Sequence, residues 1–203
     1  MATEKSVRRQ SAEQRVGHRA IIFARRRCAF TPRQTGLESP RPALATTHAA
    51  TRTTRAALSL PDADMETVSL AKFKGRKNVV LYFYAKDGTP ACTLQAIEFS
   101  DHEEHFAEHD AVVVGVSCDD CITHAEFRDE NGLSVTLLAD AEGEVCRKYG
   151  VWREPELNGQ RRSCVVRSTF IIDKKGVVRH ALYGVTPRGH AAEVLALVRE
   201  LGQ

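Results

Sequence analysis

The sequence predicts an α/β fold in which a mixed central sheet is flanked by helices, and three observations predict it. Short β-branched and aromatic runs alternate with helix-patterned segments from residue 78 onward. One late pair of strand-like runs is separated only by Asp173-Lys174-Lys175-Gly176, which adds an antiparallel hairpin to a sheet otherwise built by crossovers. A chain of 203 residues, 42% of them hydrophobic, can bury one ordinary core and leave a tail.

The elements follow in order. Val79 to Tyr84, bounded by the turn formers Lys86, Asp87 and Gly88, reads as a buried strand. The spacing predicts a helix directly after it. Thr89 suits the N-cap, Pro90 the first helical position, and Leu94, Ile97 and Phe106 recur at roughly helical spacing in one segment through His109. Next come a strand over Ala111 to Val116, a helix near Asp120 to Glu130, a short strand around Val135 to Leu138, and a helix near Glu142 to Tyr149 that turns Cys146 to the core. The hairpin joins Val165 to Ile172 with Val177 to Leu182. The last helix, about His190 to Leu201, sets Val194, Leu197, Val198 and Leu201 on one face. There is no internal repeat and no phosphate-cradling glycine loop; Gly184 to Gly189 is a turn-prone linker.

Charge divides the chain near residue 57. Residues 1–57 hold 12 Lys and Arg against three acids, a net of +9, while residues 58–203 hold 17 against 23, a net of −6. The first segment is rich in Arg, Ala, Thr and Ser, with Arg25-Arg26-Arg27 its densest cluster, and reads as a disordered N-terminal extension to a domain over 58–203. Its readings, in order, are an extension without function, an organellar transit peptide, and a basic arm for an anionic surface. No aromatic interleaving points to nucleic acid. No stretch approaches the roughly 18 apolar residues of a membrane span. Six cysteines without disulfide spacing fit a reducing, cytoplasmic compartment, with an organelle as the alternative if residues 1–57 are a transit peptide.

The chemistry concentrates at Cys92. A cysteine in the first turn of a helix faces unpaired backbone N–H groups and about half a positive charge of helix dipole, both of which favour the thiolate. Such a site lowers the thiol pKa from about 8.5 toward neutrality and makes the sulfur a nucleophile. The bland alternative is a small buried hydrophobe, which is what most free cysteines are.

Tyr82-Phe83-Tyr84 followed by Thr89-Pro90-Ala91-Cys92-Thr93 resembles the active-site segment of the atypical peroxiredoxins, the bacterioferritin comigratory protein or peroxiredoxin Q group. The likeness continues through Leu60-Pro61-Asp62, Leu137-Leu138-Ala139-Asp140, Tyr149-Gly150-Val151-Trp152 and Val166-Arg167-Ser168-Thr169-Phe170-Ile171-Ile172-Asp173, so that it spans roughly Leu58 to Leu201. It implies a thioredoxin-like fold and an enzyme, a thioredoxin-dependent thiol peroxidase, that reduces hydrogen peroxide and organic hydroperoxides through a cysteine sulfenic acid. On that basis Cys92 is the nucleophile, and Thr89 and Arg167 bind the peroxide and stabilise the charge that builds on its leaving oxygen. The expected partners are hydroperoxides and thioredoxin or another small thiol, with no cofactor, metal, nucleic acid or membrane, and the chain is expected to be a monomer.

Two positions depart from the resemblance. Ala85 stands where the motif Pro-x-x-x-Thr-x-x-Cys has its proline, and Ala91 replaces the common glycine before the cysteine. The usual positions of a resolving cysteine hold Ile97 and Arg128. A one-cysteine cycle with an external reductant is therefore expected, with Cys118 and Cys121 as substitute resolving candidates beside Cys28, Cys146 and Cys164.

Cys118-Asp119-Asp120-Cys121 is a C-x-x-C at the end of an apolar run, placed as in dithiol-disulfide oxidoreductases. The two aspartates between the thiols are expected to raise their pKa values and oppose that activity. A zinc site lacks a second close pair, since the next cysteines stand at 146 and 164. A further alternative is a redox-responsive binding protein that oxidises at Cys92 without turnover. Among the histidines available to a cysteine hydrolase, His102, His105, His109, His124, His180 and His190, none is singled out by its sequence setting. His102, His105 and His109 read as a solvated helix face rather than metal ligands.

Overall fold

A computed structural model describes residues 58–202, apart from 155, 158, 159 and 162, and the expected disordered extension over 1–57 lies outside the described residues. The described chain opens with a small antiparallel ribbon, β1 (Ser59–Pro61) and β2 (Thr67–Ser69). There follow β3 (Asn78–Phe83), α1 (Pro90–Asp101), α2 (Glu103–Glu108), β4 (Ala111–Ser117), α3 (Cys121–Asn131), β5 (Thr136–Ala139) and α4 (Glu144–Lys148). Four two-residue strands come next: β6 (Trp152–Arg153), β7 (Glu156–Leu157), β8 (Gln160–Arg161) and β9 (Cys164–Val165). The hairpin β10 (Ser168–Ile172) and β11 (Val178–Tyr183) and the helix α5 (His190–Leu201) complete the fold.

The central sheet has the order β11-β10-β3-β4-β5. β3, β4 and β5 run parallel because helices connect them, while β10 lies antiparallel to both β3 and β11. Both faces of the sheet are covered, and so all six residues of β3 are buried. Val80 and Tyr82 point to one face, into a core with Phe99, Phe106, Phe127 and Val194 from the helices α1, α2, α3 and α5. Val79, Leu81 and Phe83 point to the other, into a core with Val68 of the opening ribbon, Leu70 of the 3-10 turn Leu70–Phe73 that follows it, and Val145 and Cys146 of α4. This is the mixed sheet flanked by helices that the sequence predicts.

Two elements differ from expectation. The single helix to His109 is instead α1 and α2, broken at His102. There the imidazole Nδ1–H donates to the Glu98 carbonyl at 2.8 Å, while the His102 backbone N–H turns to Ser100 O, so the side chain occupies the acceptor that a continuing helix would use. The strand from Val165 to Ile172 is broken at Val166 and Arg167, because β9 pairs with β6 and β10 with β3. Arg167 thus sits where the chain changes partner strands.

One glycine is fixed by close approach. Gly115 lies opposite Tyr82 in the β3/β4 register, and a Cβ there would stand 2.7 Å from both Tyr82 Cζ and its hydroxyl oxygen and 3.0 Å from Leu137 Cδ2. The tyrosine ring has nowhere to go, since it stacks on Phe99 at 4.7 Å and Tyr84 at 5.5 Å. Gly115→Ala is expected to destabilise the fold by about 1–3 kcal/mol, the usual range for overpacking a full core. Urea unfolding followed by far-UV circular dichroism checks this as a lowered midpoint at unchanged slope.

Candidate active site

β3 delivers the chain to the loop 84–89, and α1 starts at once. Thr89 has extended backbone angles (φ −79°, ψ 139°) and Pro90 takes the first helical position, where its missing N–H removes a donor that would have been unpaired in any case. Cys92 is the third helical residue and is 2% exposed. The Thr89 carbonyl accepts the N–H groups of both Cys92 and Thr93 at 2.9 Å, which fixes the first turn. The Thr89 hydroxyl donates to Lys86 O at 3.0 Å.

Arg167 reaches this turn from its position just before β10, whose first residue, Ser168, pairs with Phe83 at the end of β3. Its Nη2 donates to Cys92 Sγ at 3.2 Å, and its Nη1 makes a short hydrogen bond to Gln95 Oε1. Gln95, fully buried one turn beyond Cys92, was not singled out by the sequence. The available signal was its i+3 spacing, which puts it on the same helix face as the cysteine. Its amide is neutral. The guanidinium charge is therefore left to act on the sulfur rather than being neutralised by a carboxylate.

These contacts set the state of the thiol. Burial pushes the Cys92 thiol up, but the Thr89 side chain, the Lys86 backbone N–H and the hydrogen bond and charge of Arg167 together hold it below the ordinary cysteine value. These contacts favour the thiolate, and a thiolate here is a nucleophile beside fixed donors, an arrangement that can attack a polarised O–O bond and stabilise the departing oxygen. Tyr82, in the same core, stays neutral: burial raises its phenol well above the ordinary value, and the nearby Asp87 and Cys92 raise it further.

The loop before Cys92 lacks the motif proline but is held by side chains. Asp87 Oδ1 accepts from the Tyr84 hydroxyl at 2.7 Å, and Asp87 Oδ2 accepts from His124 Nδ1 at 2.6 Å. The Asp87 N–H donates to Asp119 Oδ2 at 2.8 Å. Asp87 and His124 are both buried, so the histidine passed over in the sequence is singled out by its setting after all. Nothing in the sequence pairs these residues, which stand 37 positions apart. No hydrogen bond among the described residues joins either His124 or the buried His190 to Cys92. His190 Nε2 and Thr169 Oγ1 lie 2.9 Å apart, and burial lowers the imidazole pKa.

The other sequence candidates lie elsewhere. Cys118 follows β4 and packs with the core on the opposite face of the sheet from Cys92. Cys121 is the first residue of α3. The fold sets Cys118 beside Cys146 and Asp140, a juxtaposition that the sequence spacing of 28 residues does not show. At Cys118 the charge of Asp119 raises the thiol as expected, and Asp140 adds to it, but the neighbouring Cys146 side chain outweighs both and the thiol lies below the ordinary value. Asp120 is spent capping α3, its Oδ1 accepting the Thr123 N–H at 2.8 Å. Arg128 lies on α3 in ion pairs with Asp64 and Asp129. Two surface clefts border Val79 and Asn78, the first residues of β3, at the end of the strand away from Cys92. No helix among the described residues is long and apolar enough to cross a membrane.

Residues 53–181 match the model of the AhpC/TSA family. Peroxiredoxin Bcp of Bacillus subtilis is 40% identical over 138 residues, covering 68% of this chain and 87% of that protein. The chloroplastic peroxiredoxin Q of Triticum aestivum is 41% identical over 144 residues, covering 70% of this chain and 64% of that protein. Among solved structures, the bacterioferritin comigratory protein of Xanthomonas campestris superposes with a TM-score of 0.69 at 30% identity, over 72% of this chain and 92% of that one. Peroxidoxin BcpB of Mycobacterium tuberculosis gives 0.68 at 34% identity, over 76% and 99%. These matches and the thioredoxin-like sheet agree with the motifs at Thr89-Pro90-Ala91-Cys92 and Arg167. The chain belongs to the AhpC/TSA family, and within it to the peroxiredoxins of the bacterioferritin comigratory protein and peroxiredoxin Q group, enzymes that reduce peroxides at the expense of a thiol.

Proposed function

We propose that the chain reduces hydrogen peroxide and organic hydroperoxides through a Cys92 sulfenic acid, in a one-cysteine cycle closed by an external thiol of the thioredoxin kind. The observation that carries this reading is the 3.2 Å contact of Arg167 Nη2 with the buried Cys92 sulfur in the first turn of α1. The thiolate attacks the near peroxide oxygen in line, the O–O bond breaks, and the far oxygen leaves as hydroxide or alkoxide and takes up a proton. Arg167 holds sulfur and peroxide together, and the Thr89 hydroxyl turns its single proton from Lys86 O to the reacting oxygens. A thiol of the reductant then attacks the sulfenic sulfur and releases water, and a second reductant thiol frees Cys92.

Several features support the absence of an internal resolving partner. Ile97 and Arg128 fill the usual positions, and Cys118 faces the core on the other side of the sheet. The Xanthomonas relative's structure concerns alkyl peroxide reduction, which favours including organic hydroperoxides among the substrates. The family match over 53–181 supports a domain beginning near residue 58, with residues 1–57 as an appended segment. The cytoplasm is the proposed location, with an organelle as the alternative because the wheat relative is chloroplastic. A monomer in solution is proposed as well.

Cys92→Ser is expected to reduce thiol-dependent peroxide consumption to the uncatalysed rate, whereas Cys118→Ser and Cys121→Ser leave turnover within about twofold of the parent, a change under 0.5 kcal/mol. Steady-state assays with thioredoxin and its reductase, and separately with dithiothreitol, check this. Retained turnover in Cys92→Ser overturns the nucleophile assignment. Loss of turnover in Cys118→Ser or Cys121→Ser overturns the one-cysteine cycle.

A further inference from the structure

Outside the peroxidatic centre, the described residues bring two sulfurs together. Asp140 arranges them. Its backbone N–H donates to Ser117 O at 2.8 Å, which ties the residue after β5 to the end of β4, immediately before Cys118. Its carboxylate accepts the N–H groups of Val145 and Cys146 at 3.2 and 2.8 Å, which fixes the first turn of α4 against the same strand ends. The Sγ atoms of Cys118 and Cys146 and a carboxylate oxygen of Asp140 consequently lie within 4.8 Å of one another. Cys146 is fully buried and Cys118 only partly so.

We propose that Cys118 and Cys146 are a second thiol pair, separate from Cys92, that closes into an intramolecular disulfide when hydroperoxide is in excess. The geometry favours this over a metal site. Both oxygens of Asp140 are already engaged by backbone donors, which leaves two sulfurs where a structural zinc takes four ligands. Solvent reaches the pair through Cys118, which is therefore the sulfur a peroxide meets first, while Cys146 is fully enclosed and burial favours its protonated form.

The step balances with the peroxide as the oxidant. The Cys118 thiolate attacks one peroxide oxygen, the O–O bond breaks, and hydroxide leaves and is protonated to water. The Cys146 sulfur then attacks the Cys118 sulfenic sulfur; the S–S bond forms, the S–O bond breaks, and a second water departs with the Cys146 proton. Two thiols lose two electrons and hydrogen peroxide gains them. Closure brings the sulfurs from within 4.8 Å to the roughly 2.05 Å of a disulfide through side-chain rotation and a small shift of α4, which is only five residues long. The link would join the end of β4 to α4 on the sheet face opposite the peroxidatic cysteine, so its formation does not pass through Cys92.

The test is non-reducing peptide mapping of the full chain after excess hydrogen peroxide, in the parent and in Cys92→Ser. Digestion at aspartates and arginines cuts at Asp119 and Asp120, which separates Cys118 from Cys121, and after Arg147, which separates Cys146 from Cys164. The expected result is a Cys118–Cys146 linked pair of peptides, lighter by two hydrogens than the free thiols, in both proteins. Its appearance in Cys92→Ser also keeps this inference distinguishable from the peroxidase reading. Cys146→Ser is expected to leave Cys118 as a sulfenic acid that dimedone traps. Recovery of Cys118 and Cys146 as free thiols in the parent, or linkage of Cys118 to Cys121 or Cys92 instead, would overturn the proposal, and this result does not depend on whether the Cys146 variant folds.

Discussion

Arg167→Gln is expected to lower the second-order rate with hydrogen peroxide by about 10²–10³-fold, the usual effect of removing one fixed donor to developing negative charge. Two losses combine in that figure. The charge-assisted bond from Nη2 to Cys92 Sγ at 3.2 Å disappears, and so does the cation that favours the thiolate. The pH dependence separates them. In the parent the Cys92 pKa lies below the ordinary thiol value, so the rate rises as pH increases through that depressed pKa and is level above it. In the variant the midpoint moves up toward the ordinary value, and less thiolate is present at neutral pH. Iodoacetamide labelling of Cys92 across pH reports the midpoint, and stopped-flow peroxide reduction well above both midpoints reports what remains. A rate deficit that vanished at high pH would confine Arg167 to thiolate stabilisation. A deficit that persists is the expected result, because the same guanidinium is proposed to hold the peroxide.

The second large effect is expected at His124, which touches no reacting atom. His124→Ala removes the Nδ1 donor 2.6 Å from a buried Asp87 carboxylate and leaves that oxygen unpaired, at a cost of about 3 kcal/mol. Asp87 sits in the loop that carries the chain from β3 to Cys92, two residues beyond Ala85. Without the proline ring of the family motif, the loop depends on Asp87 and its bonds to Tyr84, His124 and Asp119. Loosening it is expected to lower kcat/KM by about 10–100-fold, since displacing reacting groups by even an ångström has effects of that order. Thermal unfolding measures the stability loss. The pH profile of kcat/KM, taken well below the melting transition, measures the positioning loss, and His124→Gln, which restores an N–H donor, is expected to recover part of the rate. Unchanged kcat/KM in folded His124→Ala would show that the loop holds its shape without this bond.

Much of this architecture was legible in the residues. The helix starting at Pro90, the parallel run from Val79 to Tyr84, and α5 from His190 to Leu201 follow from capping, β-branched content and apolar spacing, all local properties. Local rules failed where a side chain competes with the backbone, as His102 does for the Glu98 carbonyl. They failed again where the chain changes strand partners, as it does at Arg167. The site was legible to the extent that motif and spacing reach: Cys92, Thr89 and Arg167 were named from the sequence and are brought together in space. Gln95 was hidden because an amide on a helix face has no sequence mark of burial. The Asp87–His124 pair and the Cys118–Cys146 pair were hidden because their members meet only through the sheet and the helices packed on it.

Intact-mass spectrometry of the reduced protein after one equivalent of hydrogen peroxide, with and without dimedone, tests the central claim most directly when followed by peptide mapping. The account predicts a dimedone adduct on Cys92 within one turnover and none there in Cys92→Ser. Peroxide consumption with Cys92 left unmodified as a free thiol would contradict it.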